Sequence, residues 1–182
     1  MHAGKTLFAQ LMDFLPWSTF ARYVARYGGD RYVKSLTCAE QYRVMAFAQL
    51  TYRESLRDIE ACLAAQAGKL YHMGLREPVR RSTLADANES RDWRIHADFA
   101  QRLIDQARKL YAGDDLGLEL SNTVYVLVAI IKKRLNLSAS LYEILQILSL
   151  TMFERTPSDQ LVARIPSSSD QPKNLNQLIL FD

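Results

Sequence analysis

Ser55-Leu-Arg-Asp-Ile-Glu-Ala-Cys-Leu-Ala-Ala65 followed by Arg76-Glu-Pro-Val-Arg-Arg-Ser-Thr-Leu-Ala-Asp-Ala87 is the stretch whose reading decides the fold. Ser55 followed three residues later by Asp58 reads as a helix start, and Leu56, Ile59 and Leu63 with the small Ala61 and Ala64 build a short amphipathic helix. Gly68 and Gly74 punctuate a turn region, Pro78 breaks any helix, and Ser82-Thr-Leu-Ala-Asp-Ala87 restarts one. The pattern predicts helix, connector, helix, a unit like a helix-turn-helix. In such a unit the second helix enters the major groove with its first residues on base edges, so basic and small polar groups are wanted there. Arg80, Arg81, Ser82 and Thr83 stand at that start, where free backbone N–H groups and the helix dipole also favour phosphate. Asn88, Arg91 and Arg94 continue the series. These seven are the candidate DNA contacts. A second reading fits the same residues: a solvated turn between packed helices, its charges cancelled by Glu77, Asp86, Glu89 and Asp92.

Working outward, helices are expected on both sides. Toward the N-terminus, Leu7, Phe8, Leu11, Phe14 and Leu15 form a helical stripe that stops at Pro16. A second helix from Ser18 places Phe20, Tyr23, Val24 and Tyr27 on one side and ends at Gly28-Gly29. Thr37-Cys-Ala-Glu40 is a capping box opening a third. Toward the C-terminus, Asp92 can cap a long helix carrying Ile95, Phe99, Leu103, Ala107, Leu110 and Tyr111, which serves the core or a dimer. Asp114-Asp115, between Gly113 and Gly117, reads as a solvated turn before a metal site. Val124-Tyr-Val-Leu-Val-Ala-Ile-Ile131 is compatible with a buried strand or a helix; with no partner strand in view, two helices are favoured, the second opened by the capping box Ser140-Leu-Tyr-Glu143. From Thr156 the composition shifts to Pro and Ser, which predicts a disordered tail.

The 182 residues are 48% hydrophobic and 24% charged, room for one core or two small ones. Seven glycines and five prolines speak against turn-dense all-β architectures, so the fold class expected is mainly α, a helical bundle. Cys38 and Cys62, with three scattered histidines, show neither a disulfide framework nor zinc-ligand spacing, so no metal is assigned. The longest apolar run is eight residues against the roughly 20 that a spanning helix needs, and no signal peptide is visible. A cytoplasmic location, associated with the nucleoid, is expected, with no membrane partner. The net charge of +3 has its surplus at the front: residues 1–54 hold seven Lys/Arg against four Asp/Glu. Of the 17 basic residues before Asp115, 13 are arginine, the side chain suited to phosphates and guanine edges.

Leu7-Phe-Ala-Gln-Leu, Phe14-Leu-Pro, Thr37-Cys-Ala-Glu-Gln, Ser55-Leu-Arg-Asp-Ile-Glu, Ser82-Thr-Leu-Ala-Asp-Ala-Asn and Arg91-Asp-Trp-Arg-Ile together resemble the N-terminal region of bacterial DDE transposases of the insertion-sequence-four family. The likeness extends to Leu118-Glu-Leu-Ser-Asn-Thr-Val-Tyr125. Val124 to Leu135, Leu141-Tyr-Glu-Ile-Leu-Gln-Ile-Leu-Ser149 and Asn176-Gln-Leu-Ile-Leu-Phe181 resemble the far C-terminal end of the same enzymes. The resemblance implies an internal deletion that joined front to back. It divides the chain into a helical, DNA-binding region 1–115, a remnant of the catalytic domain 116–155, and a tail 156–182.

In that family the Asn-Thr-Val-Tyr strand runs into Ala-Leu-Asp, whose aspartate is the first of three carboxylates holding two divalent metals such as magnesium. Here Tyr125 is followed by Val126-Leu-Val128, with valine in the aspartate's place. Two-metal catalysis needs several carboxylates converging on ions roughly 4 Å apart. From Val124 to Phe153 the sole acidic residue is Glu143. The resemblance therefore implies no catalytic residue, no cofactor, and a DNA-binding remnant unable to catalyse transposition alone. Its expected partner is double-stranded DNA at insertion-sequence ends. The alternative is a helical interaction module, associating with itself or with intact transposase through helix 92–111 and an apolar 124–153 face left bare by loss of the catalytic sheet.

Overall fold

In the computed structural model, residues 5–113 and 123–155 are described. They form eight α-helices, with no strand among them: α1 (Leu7–Met12), α2 (Trp17–Tyr27), α3 (Cys38–Leu50), α4 (Leu56–Ala65), α5 (Arg81–Ser90), α6 (Arg94–Leu110), α7 (Thr123–Arg134) and α8 (Leu141–Thr151). The mainly helical reading is borne out. The tail from Thr156, the Asp114-Asp115 turn and the stretch 116–122 lie outside the described residues.

Local chemistry explains most helix ends. Thr6 caps α1 by accepting the Ala9 N–H at 3.3 Å, and α1 stops at Met12, a turn short of the apolar stripe. The Trp17 indole N–H then donates to the Met12 carbonyl at 2.8 Å, satisfying one orphan acceptor of that helix end. Gly28 ends α2 in the left-handed region, φ +64°, with its N–H on the Ala25 carbonyl and the Gly29 N–H on that of Val24. The Thr37–Glu40 and Ser140–Glu143 capping boxes both form, and the Ser55 hydroxyl accepts the Asp58 N–H at 3.1 Å. Asp92 lies just outside α6, where its carboxylate accepts the Arg94 N–H at 2.9 Å.

The ambiguous 124–131 run is a helix, buried at every position but Tyr125. Val124 and Val126 through Ile131 are all in the core, so a β-branched sequence costs little where packing decides. α7 lies against α6, α3 and α8, and the Tyr111 hydroxyl at the end of α6 donates to the Ala129 carbonyl at 2.8 Å. Lys132, Lys133 and Arg134 close the helix, complementing its dipole. The expected bare apolar face over 124–153 is reduced to Tyr125 on α7 and Tyr142 and Leu150 on α8, which are exposed. The Ile95, Phe99, Leu103 and Ala107 stripe of α6 is likewise buried within the chain, and α6 packs on α2 and α7.

One apolar cluster runs from Leu7 to Met152. Its aromatic centre joins α2, α3 and α6: Phe20 and Phe99 meet edge-on at 4.9 Å, and Tyr42 contacts Trp17, Phe20 and Phe99 at 5.4–5.9 Å. Phe47 bridges Phe8 and Phe153, at 6.0 and 5.4 Å. α1 is tied to the last described segment through its backbone, with the Leu7 and Phe8 N–H groups donating to the carbonyls of Glu154 and Met152 at 2.7 and 3.1 Å.

Candidate nucleic-acid interface

α4 and α5 pack together with a connector between them, as the sequence predicts, but the connector is longer than the roughly three- to four-residue turn of a helix-turn-helix. It contains 3₁₀ turns at Ala67–Lys69 and Tyr71–Met73 and a left-handed Gly74, φ +78°. Glu40 anchors it. The carboxylate of this buried residue accepts from the Arg76 backbone N–H at 3.2 Å, from its guanidinium twice at 2.9 Å, and from the Thr37 N–H and hydroxyl at 2.8 Å each. Burial pushes the Glu40 pKa up, but the hydrogen bonds from Arg76 and Thr37 outweigh it and hold the value down to about 2. This clamp fixes where α5 begins.

At that beginning, Arg80 occupies the cap position in extended conformation, and Arg80, Arg81 and Ser82 are exposed while Thr83 is half-buried. The side chains of these four make no hydrogen bond or ion pair among the described residues. The Arg81 backbone N–H is already taken by the Glu60 carboxylate at 3.2 Å. Further along, Asp86 and Glu89 stand on the exposed surface of α5, so only its first turn presents a surface that attracts phosphate.

The other three predicted contacts are tied to groups of the chain itself, although Asn88 and Arg94 are exposed. Asn88 accepts from the Gln41 amide at 2.6 Å. The Arg91 guanidinium is half-buried, donating to Gln41 Oε1 at 2.6 Å and to the Leu36 carbonyl. It thereby straps the end of α5 to α3 and to the loop after α2. Arg94 is paired with the Asp92 carboxylate at 2.5 Å and lies 4.8 Å from the centre of the Tyr27 ring. Its hydrogen bonds lower the Asp92 pKa.

The fold sets a different group of residues along the length of α5. Thr83, Asp86, Ala87 and Ser90, at helical spacing, face the loop 28–36 across a groove of about 680 Å³ that also takes in Arg31, Tyr32, Lys34 and Ser35. A smaller hollow of about 160 Å³ places Arg80 and Thr83 beside Ser35. The loop is held in an unusual shape: Tyr32 and Leu36 have φ of +63° and +54°, strained values for residues with a side chain. Tyr32 is 85% exposed, with the Arg31 guanidinium 5.0 Å from its ring centre and 3.2 Å from its hydroxyl. Sequence reading missed Arg31, Tyr32 and Lys34; the signal available was the basic surplus of the first 54 residues, just after the Gly28-Gly29 helix end. Gly29 supports the loop from below, since a Cβ there would sit 2.4 Å from Ile95 Cδ1 and 2.7 Å from Cys38 Sγ.

Residues 3–76 match one family model, described as a domain of unknown function (DUF4372). The match covers less than half of the chain and stops at the arginine that clamps Glu40, before α5 begins. No curated protein and no solved structure matches the chain.

Neither the residue in the place of the family's first aspartate, Val128, nor Glu143, the sole acid between Val124 and Phe153, fits a pair of divalent cations. Val128 is buried in α7 and offers only methyl groups. The Glu143 carboxylate is engaged at its own helix cap, accepting the Ser140 N–H at 2.8 Å. Among the described residues no group of three or more His, Cys, Asp or Glu side chains could hold a metal ion, and no helix is long and apolar enough to cross a membrane.

Proposed function

We propose that the chain is a transposase relative that binds duplex DNA at insertion-sequence ends and does not cut it alone. The observation that carries the reading is the basic edge of Arg80 and Arg81, exposed and without a side-chain partner at the head of α5, next to Thr83, which lines the groove that Arg31 and Lys34 border. Phosphates would lie along this edge, with Ser82 and Thr83 supplying hydroxyls and the first turn of α5 its free N–H groups. Arg91, Asn88 and Arg94 act on binding only by holding the loop and α5 in place. The test is a gel shift on terminal-repeat duplex over a salt series. Binding at low salt that falls steeply as salt rises, and that is lost in Arg80→Ala/Arg81→Ala, supports the reading. No shift at low salt, or an unchanged shift in the double variant, rejects it.

A second reading, a module that associates with a copy of itself or with intact transposase, rests on α8. Tyr142 and Leu150 are 66% and 86% exposed there. Tyr125 and Tyr142 stand near Tyr52, and burial together with these two hydroxyls raises the Tyr52 pKa. Buried tyrosines are frequent binding hot spots. Light scattering decides: a dimer that Tyr142→Glu/Leu150→Glu dissociates supports this reading, and a strict monomer at every concentration removes the self-association form of it.

A further inference from the structure

Next to the groove, and sharing Gly28 and Arg31 with it, Trp17, Phe20, Ala21 and Val24 of α2 face Ala39 and Arg43 of α3 across an open cavity of about 530 Å³. That volume is within the range of small-molecule sites, roughly 300–1,000 Å³. The lining is mostly apolar and holds two arginines, Arg31 and Arg43, against one carboxylate, Asp30, which already accepts the Cys38 N–H at 2.7 Å.

Arg43 is the unusual member. It is half-buried, its guanidinium is 4.2 Å from the centre of the Trp17 ring, and it lies so close over Gly74 that a Cβ there would come within 2.9 Å of its Nε. It makes no hydrogen bond or ion pair among the described residues. The two acids that could neutralise it are taken by other cations, Glu40 by Arg76 at 2.9 Å and Asp13 by Lys5 at 2.8 Å. A half-buried cation without a partner is costly, and burial lowers the Arg43 pKa despite the field of those acids. The guanidinium carbon lies over the Trp17 ring, and the N–H donors around it have no acceptor among the described residues.

We infer that this cavity binds a small organic anion with an apolar body, an aryl or alkyl carboxylate, whose carboxylate pairs with Arg43 while the body lies along Ala21 and Ala25. Both halves of that ligand are specified: the unpaired donors require an acceptor anion, and the aromatic and alanine walls reward burial of carbon. A bare phosphate satisfies only the first, and of the basic residues assigned to DNA only Arg31 also lines this cavity.

The test uses the full chain and anilinonaphthalene sulfonate, an aromatic anion that fluoresces in apolar sites. Saturable one-to-one binding is expected, displaced by indoleacetate and at least about tenfold less well by its neutral amide. Arg43→Met should weaken indoleacetate about tenfold. Ala21→Trp, at an exposed position of α2, fills the cavity while keeping the Arg43 side chain and should abolish binding. Near-ultraviolet circular dichroism checks the fold; if Arg43→Met unfolds the protein, Ala21→Trp alone decides. Probe binding that survives Ala21→Trp overturns the proposal, as does equal displacement by inorganic phosphate or duplex DNA. A negative result here leaves DNA binding untouched, because that depends on Arg80 and Arg81.

Discussion

Arg80 and Arg81 at one end of α5 and Arg91 and Arg94 at the other are the same residue type, a few turns apart, and the structure treats them in opposite ways. The first pair reaches solvent without a side-chain partner, whereas Arg91 is a strut between α3 and the 28–36 loop and Arg94 is neutralised by Asp92. Arg76, just upstream, belongs with the tied group through Glu40. An arginine's role is thus set by which acceptor the tertiary fold brings within reach, and basic sequence alone overstates the size of a binding surface.

The strongest way to break the tied group is Glu40→Gln. Lowering a carboxyl from its ordinary 4.5 to about 2 is worth about 3 kcal/mol, and urea unfolding should show a loss of that order. Because the folded pKa is depressed, the stability it confers is present above pH 4.5 and is lost as the pH falls toward 2. In Glu40→Gln that acid-dependent fall should be correspondingly shallower, which unfolding at stepped pH will read. Arg91→Ala comes next, at about 2 kcal/mol, since it leaves the Leu36 carbonyl and Gln41 short of a charged donor. Gly29→Ala should cost about 1.5 kcal/mol by pushing against Ile95 and Cys38 beneath the loop. The free pair gives the smallest effect on stability: Arg80→Ala/Arg81→Ala should change it by less than about 0.5 kcal/mol. On DNA the order reverses, with the salt slope of binding reduced by about two in the double variant and unchanged in folded Arg91→Ala. A larger loss of DNA affinity in folded Arg91→Ala than in the double variant would dissolve the distinction.

Signals that act over one turn of chain could be read directly. The Thr37, Ser55 and Ser140 caps and the Gly28 stop all appear where their residue patterns place them. The Val124–Ile131 run was open between strand and helix because burial at every position but Tyr125 erases periodicity, and only its neighbours α3, α6 and α8 decide. The seven-residue contact set could not be sorted from sequence, because the acceptors of Arg91 lie at Leu36 and Gln41, far upstream. Nothing local announces positive φ at Tyr32 and Leu36, since neither is a residue that favours it; the shape of that loop is imposed by what it packs on.

The backbone ties from Leu7 and Phe8 to Glu154 and Met152 carry a consequence for biosynthesis. α1 leaves the ribosome before the other seven described helices and has its leading amides completed by Met152 and Glu154, so the nascent chain must wait, with Phe8 and Phe47 uncovered, until α8 and Phe153 emerge. Ribosome stalling or early release before that point would strand an adhesive intermediate for chaperones to hold.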